Sequence, residues 1–453
     1  MVNKLLKLSF YIAIIQLIFI LGFVSHKYKI KIVFEPINYI VQVAQDVAGI
    51  DFEKIGDRSM RRFDPNTDKE IDKGTSSNFT IHNKPKNDFG YFLFLKNDVY
   101  DPVLLSSPDN VIWKWNLKNF RNSETIVPYH LYSNGDIIIG KFETSGIYRV
   151  NKYGEVKWKI NKKNHHWIGV HKNLLFIPSL KYVDLPKGVS KNNAVNTGME
   201  ECNYKESRFE SILIIDSDKG RIVKEIDLVP LLFEDKFFRE LYKRKLSEDE
   251  EKPIKYLCKN PLHLNDIIYV DKNIKANLKK AGVESDIGNF ILSFRSLDTV
   301  IMFNPNDNKI EFIISDFFED QHSPRISDSG HLIVFDNQWV HKGKNKSRIV
   351  KINIKEKKIE NFYYGKKKHF YSPIKGRINL KDGRIFIQSS MQGEIFEIIC
   401  ENGFFDNCTE NYLYSAVYSY TYPGKTHTKD GIFKKDNIFL GDFYDYEEIN
   451  FIK

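Results

Sequence analysis

A repeat of short strand-forming segments between turn residues most limits what this chain can fold into. From Thr125 to Ile160 the sequence reads TIVPYHLY, DIIIGKF, GIYRVN and GEVKWKI, with breaks such as Ser133-Asn134-Gly135 between the segments. Ile, Val and Tyr favour extended backbone, and Asn and Gly favour the tight turns that join antiparallel strands. The stretch therefore predicts one antiparallel sheet of four strands.

The same unit recurs along the chain. Four further units are legible at 167–226, 265–314, 323–364 and 375–419. Leftover segments, PVLLSS and NVIWKWN near the start and GIFKK and NIFLGDF near the end, complete a sixth. Repeated four-stranded units are propeller blades, and a ring of blades explains how 453 residues form one domain. We predict an all-β fold, a six-bladed β-propeller whose last blade combines both chain ends.

The N-terminal segment predicts a membrane anchor. Lys4 and Lys7 precede an uncharged run, Leu8 to Val24, which is at the short end for a spanning helix. A cleaved signal peptide is the alternative, but Gly22 to Ser25 match its small-residue cleavage site poorly. Lysines flank both ends, so charge leaves the orientation open. We predict an anchor helix at 1–31 and a membrane-anchored main domain in the periplasm or another extracytoplasmic space.

Residues 32–88 are predicted to hold a short amphipathic helix at Pro36 to Ile50 and a polar linker, followed by the propeller at 89–453. Two insertions interrupt the repeat, at Asp184 to Arg208 and at Phe233 to Lys255. The second is rich in charged helix formers, which predicts an exposed helix with a solvated face.

Four cysteines allow three pairings. Cys400 and Cys408 bracket a short loop, and Cys202 and Cys258 bracket a long polar insertion, so this pattern favours two disulfides in an oxidising compartment. Four unpaired thiols are the alternative. The spacing lacks a CxxC, which argues against a zinc or redox site. The net charge of +9 has no accompanying nucleic-acid motif, so we expect no nucleic-acid partner.

Histidines recur at one place in the units, before or within the first strand. They are His130, His165, His166, His263 and His322. The first strand of a blade is innermost, so its start faces the mouth of the central channel, and the antiparallel second strand ends at the same mouth. A single histidine is more often structural, and we assign His130 that role; repetition over several blades favours a functional site for the others.

The ends of second strands contribute the remaining candidates. Arg295 follows the apolar strand FILSF, which suits an anion clamp better than a surface ion pair. We expect one channel mouth to collect His263, Asn265, Arg295, His322, Asp336 and Asn337.

In order along the chain stand Asn-Pro-Leu-His263-Leu-Asn265-Asp, Ile-Leu-Ser-Phe-Arg295, Gln321-His322-Ser-Pro-Arg325, Phe-Asp336-Asn337 and Ser347-Arg348. As a set, these motifs resemble the arylsulfotransferase family of anchored or periplasmic six-bladed propellers. The pair His165-His166 also fits, and the resemblance covers about residues 165–399.

The resemblance implies transfer of a sulfuryl group from an aryl sulfate donor to a phenolic acceptor, without a nucleotide or other cofactor. It makes His322 the nucleophile that forms a sulfohistidine intermediate. It assigns the sulfuryl oxygens to His263, Asn265, Arg295 and one of His165 and His166, here taken as His166. Asn337, Arg325 and His165 are expected to contact substrate. A neutral imidazole is a good nucleophile near pH 7, and another histidine of the set is expected to protonate the leaving phenolate.

Two other functions fit the pattern. Four inner-strand histidines are typical of a metal-dependent propeller oxygenase, although the fixed cation of Arg295 opposes a metal ion. A propeller that only binds a ligand or partner at its mouth is the second, because fold does not determine function.

Overall fold

The structure is a computed structural model that describes residues 77–81, 91–95, 102–107, 110–117, 120, 126–141, 145–184, 206–248, 254–338, 346–365, 370–372, 375–381, 383–390, 394–400, 405, 408–420, 433–434, 441–444 and 449–451. Contacts divide the chain into Met1–Asp68 and Lys69–Lys453. The predicted anchor at 1–31 and the amphipathic helix lie outside the described residues. No helix that the structure describes is long and apolar enough to cross a membrane.

The described strands, in chain order, are β1 (Ser77–Ile81), β2 (Tyr91–Leu95), β3 (Pro102–Ser107), β4 (Asn110–Lys114), β5 (Ile126–Leu131), β6 (Ile137–Lys141), β7 (Ser145–Val150), β8 (Val156–Lys163), β9 (Gly169–His171), β10 (Leu174–Asp184), β11 (Glu206–Asp216), β12 (Arg221–Asp227), β13 (Leu264–Tyr269), β14 (Phe290–Phe294), β15 (Thr299–Asn304), β16 (Lys309–Ser315), β17 (His322–Ile326), β18 (Leu332–Asp336), β19 (Arg348–Asn353), β20 (Lys358–Tyr363), β21 (Arg377–Lys381), β22 (Arg384–Ser389), β23 (Glu394–Cys400), β24 (Cys408–Tyr420), β25 (Phe433–Lys434) and β26 (Gly441–Tyr444). The described helices are α1 (Val229–Phe233), α2 (Lys236–Glu248), α3 (Ile254–Lys259) and α4 (Lys272–Lys280), with a 3₁₀ turn at Arg295–Leu297.

The strands form antiparallel sheets, as the repeat predicts. Sheet I contains β5–β8, sheet II β9–β12, sheet III β13–β16 and sheet IV β17–β20, each in sequence order. Sheet VI joins β26 to β2, β3 and β4, so both chain ends share one sheet. The all-β propeller fold is confirmed.

The prediction of a six-bladed propeller is wrong in its blade count, because the described residues form five four-stranded blades. Within the described residues, five sheets have four strands, whereas sheet V has six, in the order β1-β24-β23-β22-β21 with β25 also on β24. Strand β24 is long enough to pair with β23 through Ser415 and then offer its remaining backbone groups to β1 and β25. Strand β1 lies in the range predicted as linker, and β25 comes from GIFKK, which was expected in the sheet of the chain ends.

Burial within the sheets explains the sequence pattern. The second strands β14 and β18 are buried along their whole length, so FILSF and LIVFD read as apolar runs rather than as alternating ones. The fourth strand β12 is exposed over its first five residues. Apolar clusters fill the spaces between neighbouring sheets, as between sheets III and IV, where Leu278, Val300 and Val334 are buried together.

The Phe233–Lys255 insertion is not only a solvated helix. Helix α2 buries Phe238, Leu241 and Tyr242 against sheet III, and the Phe238 ring lies 5.4 Å from that of Phe294. The buried face of α2 was not predicted, because charged residues dominate the sequence of this segment. Helix α4, between β13 and β14, was not predicted.

The predicted pair Cys400–Cys408 is confirmed and joins the end of β23 to the start of β24. Cys258 is also disulfide-bonded, so four unpaired thiols are ruled out. Its predicted partner, Cys202, lies outside the described residues.

The turn between β17 and β18 approaches α4 closely, and this contact needs a glycine. Gly330 has φ +80°, and a Cβ there would lie 2.2 Å from the Asn277 carbonyl oxygen. Gly383 has φ +71°, and no described atom lies within 4 Å of the corresponding position. A left-handed backbone costs an alanine about 1–2 kcal/mol at either site. We expect Gly330→Ala to lower the apparent melting temperature clearly more than Gly383→Ala, measured by circular dichroism; equal losses would contradict the close contact.

Candidate active site

The predicted convergence of strand ends is seen in the geometry of the histidines. His166 precedes β9, His263 precedes β13 and His322 begins β17. The His166 ring centroid lies 4.8 Å from that of His263 and 5.7 Å from that of His322. Three blades therefore bring histidines that are up to 156 residues apart in the sequence into one cluster, in which His263 and His322 are buried and His166 is partly buried.

The backbone at this mouth is strained. His166, His263 and Asp320 all have left-handed φ values, 60°, 53° and 53°. Such residues cost roughly 1–3 kcal/mol each, and they collect at functional sites where neighbouring structure holds them. One hydrogen bond stabilises this backbone: the Arg295 N–H donates to the His263 carbonyl oxygen at 3.1 Å, and it joins the end of β14 to the start of β13.

Hydrogen bonds determine where His322 carries its proton. Its Nδ1 lies 3.0 Å from the Asp320 carbonyl oxygen and 2.8 Å from Asn337 Oδ1, and both are acceptors. The Asn337 amide donates from Nδ2 to the carbonyl oxygens of Ser372 and Lys375, each at 2.6 Å, which keeps Oδ1 facing the ring. Nδ1 therefore bears the hydrogen, and the lone pair is on Nε2.

His263 has the opposite arrangement. Its Nδ1 faces two donors, the Asn260 side-chain Nδ2 and Arg208 Nη2, the latter at 3.3 Å. Nδ1 therefore accepts, and the ring proton is on Nε2. Nε2 lies 2.7 Å from His166 Nε2, so it donates there, and His166 holds its own proton on Nδ1.

His165 and His166 face different neighbours. His165 is fully buried, and its Nε2 lies 3.3 Å from Oε1 of the equally buried Glu210. Arg208 Nε lies 4.0 Å from the same oxygen. The structure thus places His166 among the other two histidines and His165 behind it, against a carboxylate.

Asp320 connects the arginine to the His322 ring. Arg295 Nε lies 3.1 Å from Asp320 Oδ1, and both side chains are buried. The Asp320 N–H donates to Asp298 at 2.6 Å, and Lys245 of helix α2 pairs with Asp298 at 2.9 Å. The charged insertion therefore supports the residue that holds both Arg295 and His322.

The remaining predicted residues occupy separate positions. Asn265 Nδ2 donates to the Gln321 carbonyl at 2.6 Å, beside the cluster. Arg325 pairs with Asp266 at 3.0 Å rather than with any of the histidines, and Asp336 pairs with Arg348 at 2.6 Å. His130 packs edge-on against Tyr132, away from the cluster.

Burial and positive neighbours keep the three clustered histidines neutral. Burial, reinforced by the positive charge of Arg295, lowers the pKa of His322 to about 3, although its hydrogen bonds oppose this effect. Burial also holds the pKa of His166 and of His263 well below the usual value, with the other histidines, Arg295 and Arg208 adding to it. The site therefore combines neutral imidazoles with two guanidinium groups, those of Arg295 and Arg208, which lie near the carboxylates of Asp320 and Glu210 and can also contact an anion.

A metal ion fits this cluster poorly. His165, His166 and His263 offer ring nitrogens within 4.8 Å of one another. A metal at His263 Nε2 needs a lone pair there and a proton on Nδ1, where Arg208 and Asn260 both donate. The 2.7 Å between the Nε2 atoms of His166 and His263 is a hydrogen-bond distance, shorter than two nitrogens at about 2.1 Å from one tetrahedral zinc would allow.

One family model matches part of the chain. Residues 195–403 match the model described as Arylsulfotransferase (ASST). This part of the chain is similar to the arylsulfotransferase family. The matched range contains His263, Arg295 and His322, while His165 and His166 lie outside it. The predicted family resemblance is confirmed.

Other comparisons add no functional information. No match was found among curated proteins. A Bacteroides caccae protein of unknown function has 10% identity and a TM-score of 0.43, covering 78% of this chain and 98% of that one. AztD of Citrobacter koseri has 11% identity and a TM-score of 0.33, covering 72% and 70%.

Four residues of the site were missed by sequence reasoning: Arg208, Glu210, Asp320 and, in part, Asn260. Asn260 stands three residues before His263 in the quoted Asn-Pro-Leu-His motif, so its place in a turn was a usable signal. Arg208 and Glu210 begin a strand after an insertion, and nothing in the local pattern distinguishes them from surface charges.

The buried neutral histidines predict acid sensitivity. In the unfolded chain a histidine binds a proton near pH 6.5, whereas in the folded protein the pKa of His322 is about 3. As the pH falls below 6.5, the unfolded chain therefore binds a proton that folded His322 does not, and the free energy of unfolding decreases. Between those values His322 alone contributes a slope of about 1.4 kcal/mol per pH unit. We expect His322→Gln to flatten the acid-unfolding profile, followed by tryptophan fluorescence.

Partly exposed His171 is the matched control for removing one histidine. His171→Gln is expected to keep the wild-type acid dependence. An unchanged profile in His322→Gln would show that His322 takes up its proton at the same pH in the folded and the unfolded chain, which would contradict the account.

Proposed function

We propose that the protein transfers a sulfuryl group from an aryl sulfate to a phenolic acceptor through a covalent intermediate on His322. The observation that carries the proposal is the pair of acceptors at His322 Nδ1, which leaves the Nε2 lone pair available as a nucleophile. The match to the arylsulfotransferase family supports the same reaction class.

In the first step, the His322 Nε2 lone pair attacks sulfur, the N–S bond forms, and the S–O bond to the phenol breaks with its electron pair leaving on the phenolate. Nδ1 keeps its proton, and its hydrogen bonds to the Asp320 carbonyl and Asn337 stabilise the positive ring. In the second step, the acceptor oxygen attacks sulfur and the N–S electron pair returns to Nε2. The proton of the acceptor phenol balances the one taken up by the released phenolate.

Charge on the sulfuryl oxygens is stabilised by fixed donors. Arg295 supplies a cation beside His322, and the amide of Asn265 supplies a hydrogen bond. The Nε2–H of His263, which donates to His166 in the structure, turns to a sulfuryl oxygen when the substrate binds. Sulfuryl transfer resembles phosphoryl transfer, in which positioning and electrostatic stabilisation provide most of the catalysis. Asp320 keeps the guanidinium oriented before substrate arrives.

The alternatives have less support. A metal oxygenase that binds its metal at His263 Nε2 requires a proton on Nδ1, where Arg208 and Asn260 donate instead. A non-catalytic binding propeller gives no reason for two acceptors that hold the His322 lone pair on Nε2. We further propose that the domain lies outside the cytoplasm, held by the N-terminal anchor, because the disulfides at Cys258 and Cys400–Cys408 suit an oxidising compartment.

Transfer from a panel of aryl sulfates to a phenol tests the proposal. Wild type is expected to release the donor phenol and sulfate the acceptor, and His322→Ala is expected to do neither, because the covalent step is lost. A folded His322→Ala variant that transfers at the wild-type rate would contradict the proposal.

We expect the rate of transfer to depend on the planar guanidinium group of Arg295 and not only on its positive charge. Arg295→Lys keeps the charge but loses the planar fork, and loss of one transition-state donor costs on the order of 10²–10³-fold in rate. Arg149→Lys is the matched control, because Arg149 also pairs through Nε with a buried aspartate, Asp136, at 2.8 Å, outside the cluster. Steady-state kinetics of both variants should show the loss only in Arg295→Lys; equal effects would assign Arg295 a structural role.

A further inference from the structure

We propose that Arg208 and Asn260 hold His263 as a neutral imidazole with its single ring proton on Nε2, so that His263 polarises the sulfuryl group but does not protonate the leaving phenolate. The inference rests on the proposed sulfuryl transfer and adds the class of donor that the site prefers. Arg208 and Asn260 are positioning residues, since they act through His263.

The arrangement of donors around Nδ1 carries the argument. Arg208 has only N–H groups, so its contact with His263 Nδ1 at 3.3 Å requires a lone pair there. Asn260 also directs Nδ2 at Nδ1, because its Oδ1 accepts from Arg208 Nε at 3.3 Å. The Asn260 backbone is fixed in turn, since Ser296 Oγ donates to its carbonyl at 2.8 Å.

A second proton has no place on His263. It would sit on Nδ1 and point at the N–H groups of Arg208 and Asn260. The other charged or titratable groups around the ring are Arg295, His165 and His166, with Glu210 beyond Arg208, and burial together with the cations already lowers the pKa of His263. Loss of the one proton on Nε2 would leave an imidazolate, which is far too basic an anion near neutral pH.

His263 therefore acts as a neutral electrophile that shares its Nε2–H with a sulfuryl oxygen, without giving the proton away. Neutral imidazole serves in this way in other enzymes. The phenol then departs as its anion, and the donors used best are esters of acidic, electron-poor phenols. By microscopic reversibility the acceptor attacks as a phenolate.

Asn260→Asp tests this assignment. A carboxylate at this position accepts from Nδ1–H, which allows His263 to become an imidazolium and a true acid. The readout is the ratio of initial rates for nitrophenyl sulfate and unsubstituted phenyl sulfate. General acid catalysis is worth about 10²–10⁴-fold, so we expect this ratio to fall on the order of 10²-fold in the variant, with a new dependence on pH between 5 and 8.

Asn289→Asp is the matched control: Asn289 is also buried, and its amide donates to Glu311 at 2.7 Å, outside the cluster. It is expected to keep the wild-type ratio even if it loses stability. A wild-type ratio and pH profile in folded Asn260→Asp would overturn the inference.

A second measurement covers the case in which Asn260→Asp does not fold. Nitrogen-15 spectra of the full-length wild-type chain, labelled at histidine and assigned with His263→Gln, report which ring nitrogen carries hydrogen. Hydrogen on Nε2 alone at pH 7 supports the inference, and hydrogen on Nδ1 overturns it. Failure of the proposed function is distinguishable, because wild type would then transfer sulfuryl groups from none of the donors while the tautomer is still measured.

Discussion

The chemistry of the channel mouth depends on the hydrogen bonds made by one ring nitrogen, Nδ1, in two histidines. At His322 it faces the acceptors of Asp320 and Asn337, and at His263 it faces the donors of Arg208 and Asn260. Each neighbour leaves the opposite nitrogen in a defined state, a lone pair at His322 and a proton at His263. In the proposed reaction, one histidine therefore supplies the nucleophile and another supplies a hydrogen-bond donor, and neither imidazole needs to be charged.

The propeller makes these assignments possible by bringing distant strand ends together. First strands begin and second strands end at the same mouth, so β13, β14 and β17 deliver His263, Arg295 and His322 within one region. Asp320 is the link between them, because its side chain pairs with Arg295 while its carbonyl accepts from His322. Lys245 of helix α2 pairs with Asp298, which accepts a hydrogen bond from the Asp320 N–H. The insertion that was predicted to be a solvated helix therefore supports the buried site.

Much of this organisation was predictable because strand and turn patterns are local. The five four-stranded sheets follow from apolar segments between Gly, Asn and Asp, and the predicted place of His263 and His322 follows from strand order. The parts that escaped prediction depend on contacts between distant residues. Strand β1 forms because β24 offers an edge for pairing, and α2 buries Phe238 and Tyr242 in a cluster shared with sheets II and III. Arg208 contacts His263 although 55 residues separate them in the sequence. His165 and His166 could not be separated either, because the residues that distinguish them, Glu210 beside His165 and His263 beside His166, are distant in the sequence.

The central claim is that the Nε2 lone pair of His322 forms a covalent bond to sulfur. The most direct test is mass spectrometry of wild type after incubation with an aryl sulfate alone, at neutral pH and without acid treatment, because an N–S bond is acid-labile. The account predicts one added sulfuryl group on the peptide that contains His322, removed when a phenolic acceptor is added. Wild type that transfers sulfuryl groups but carries the label on another residue would contradict the account.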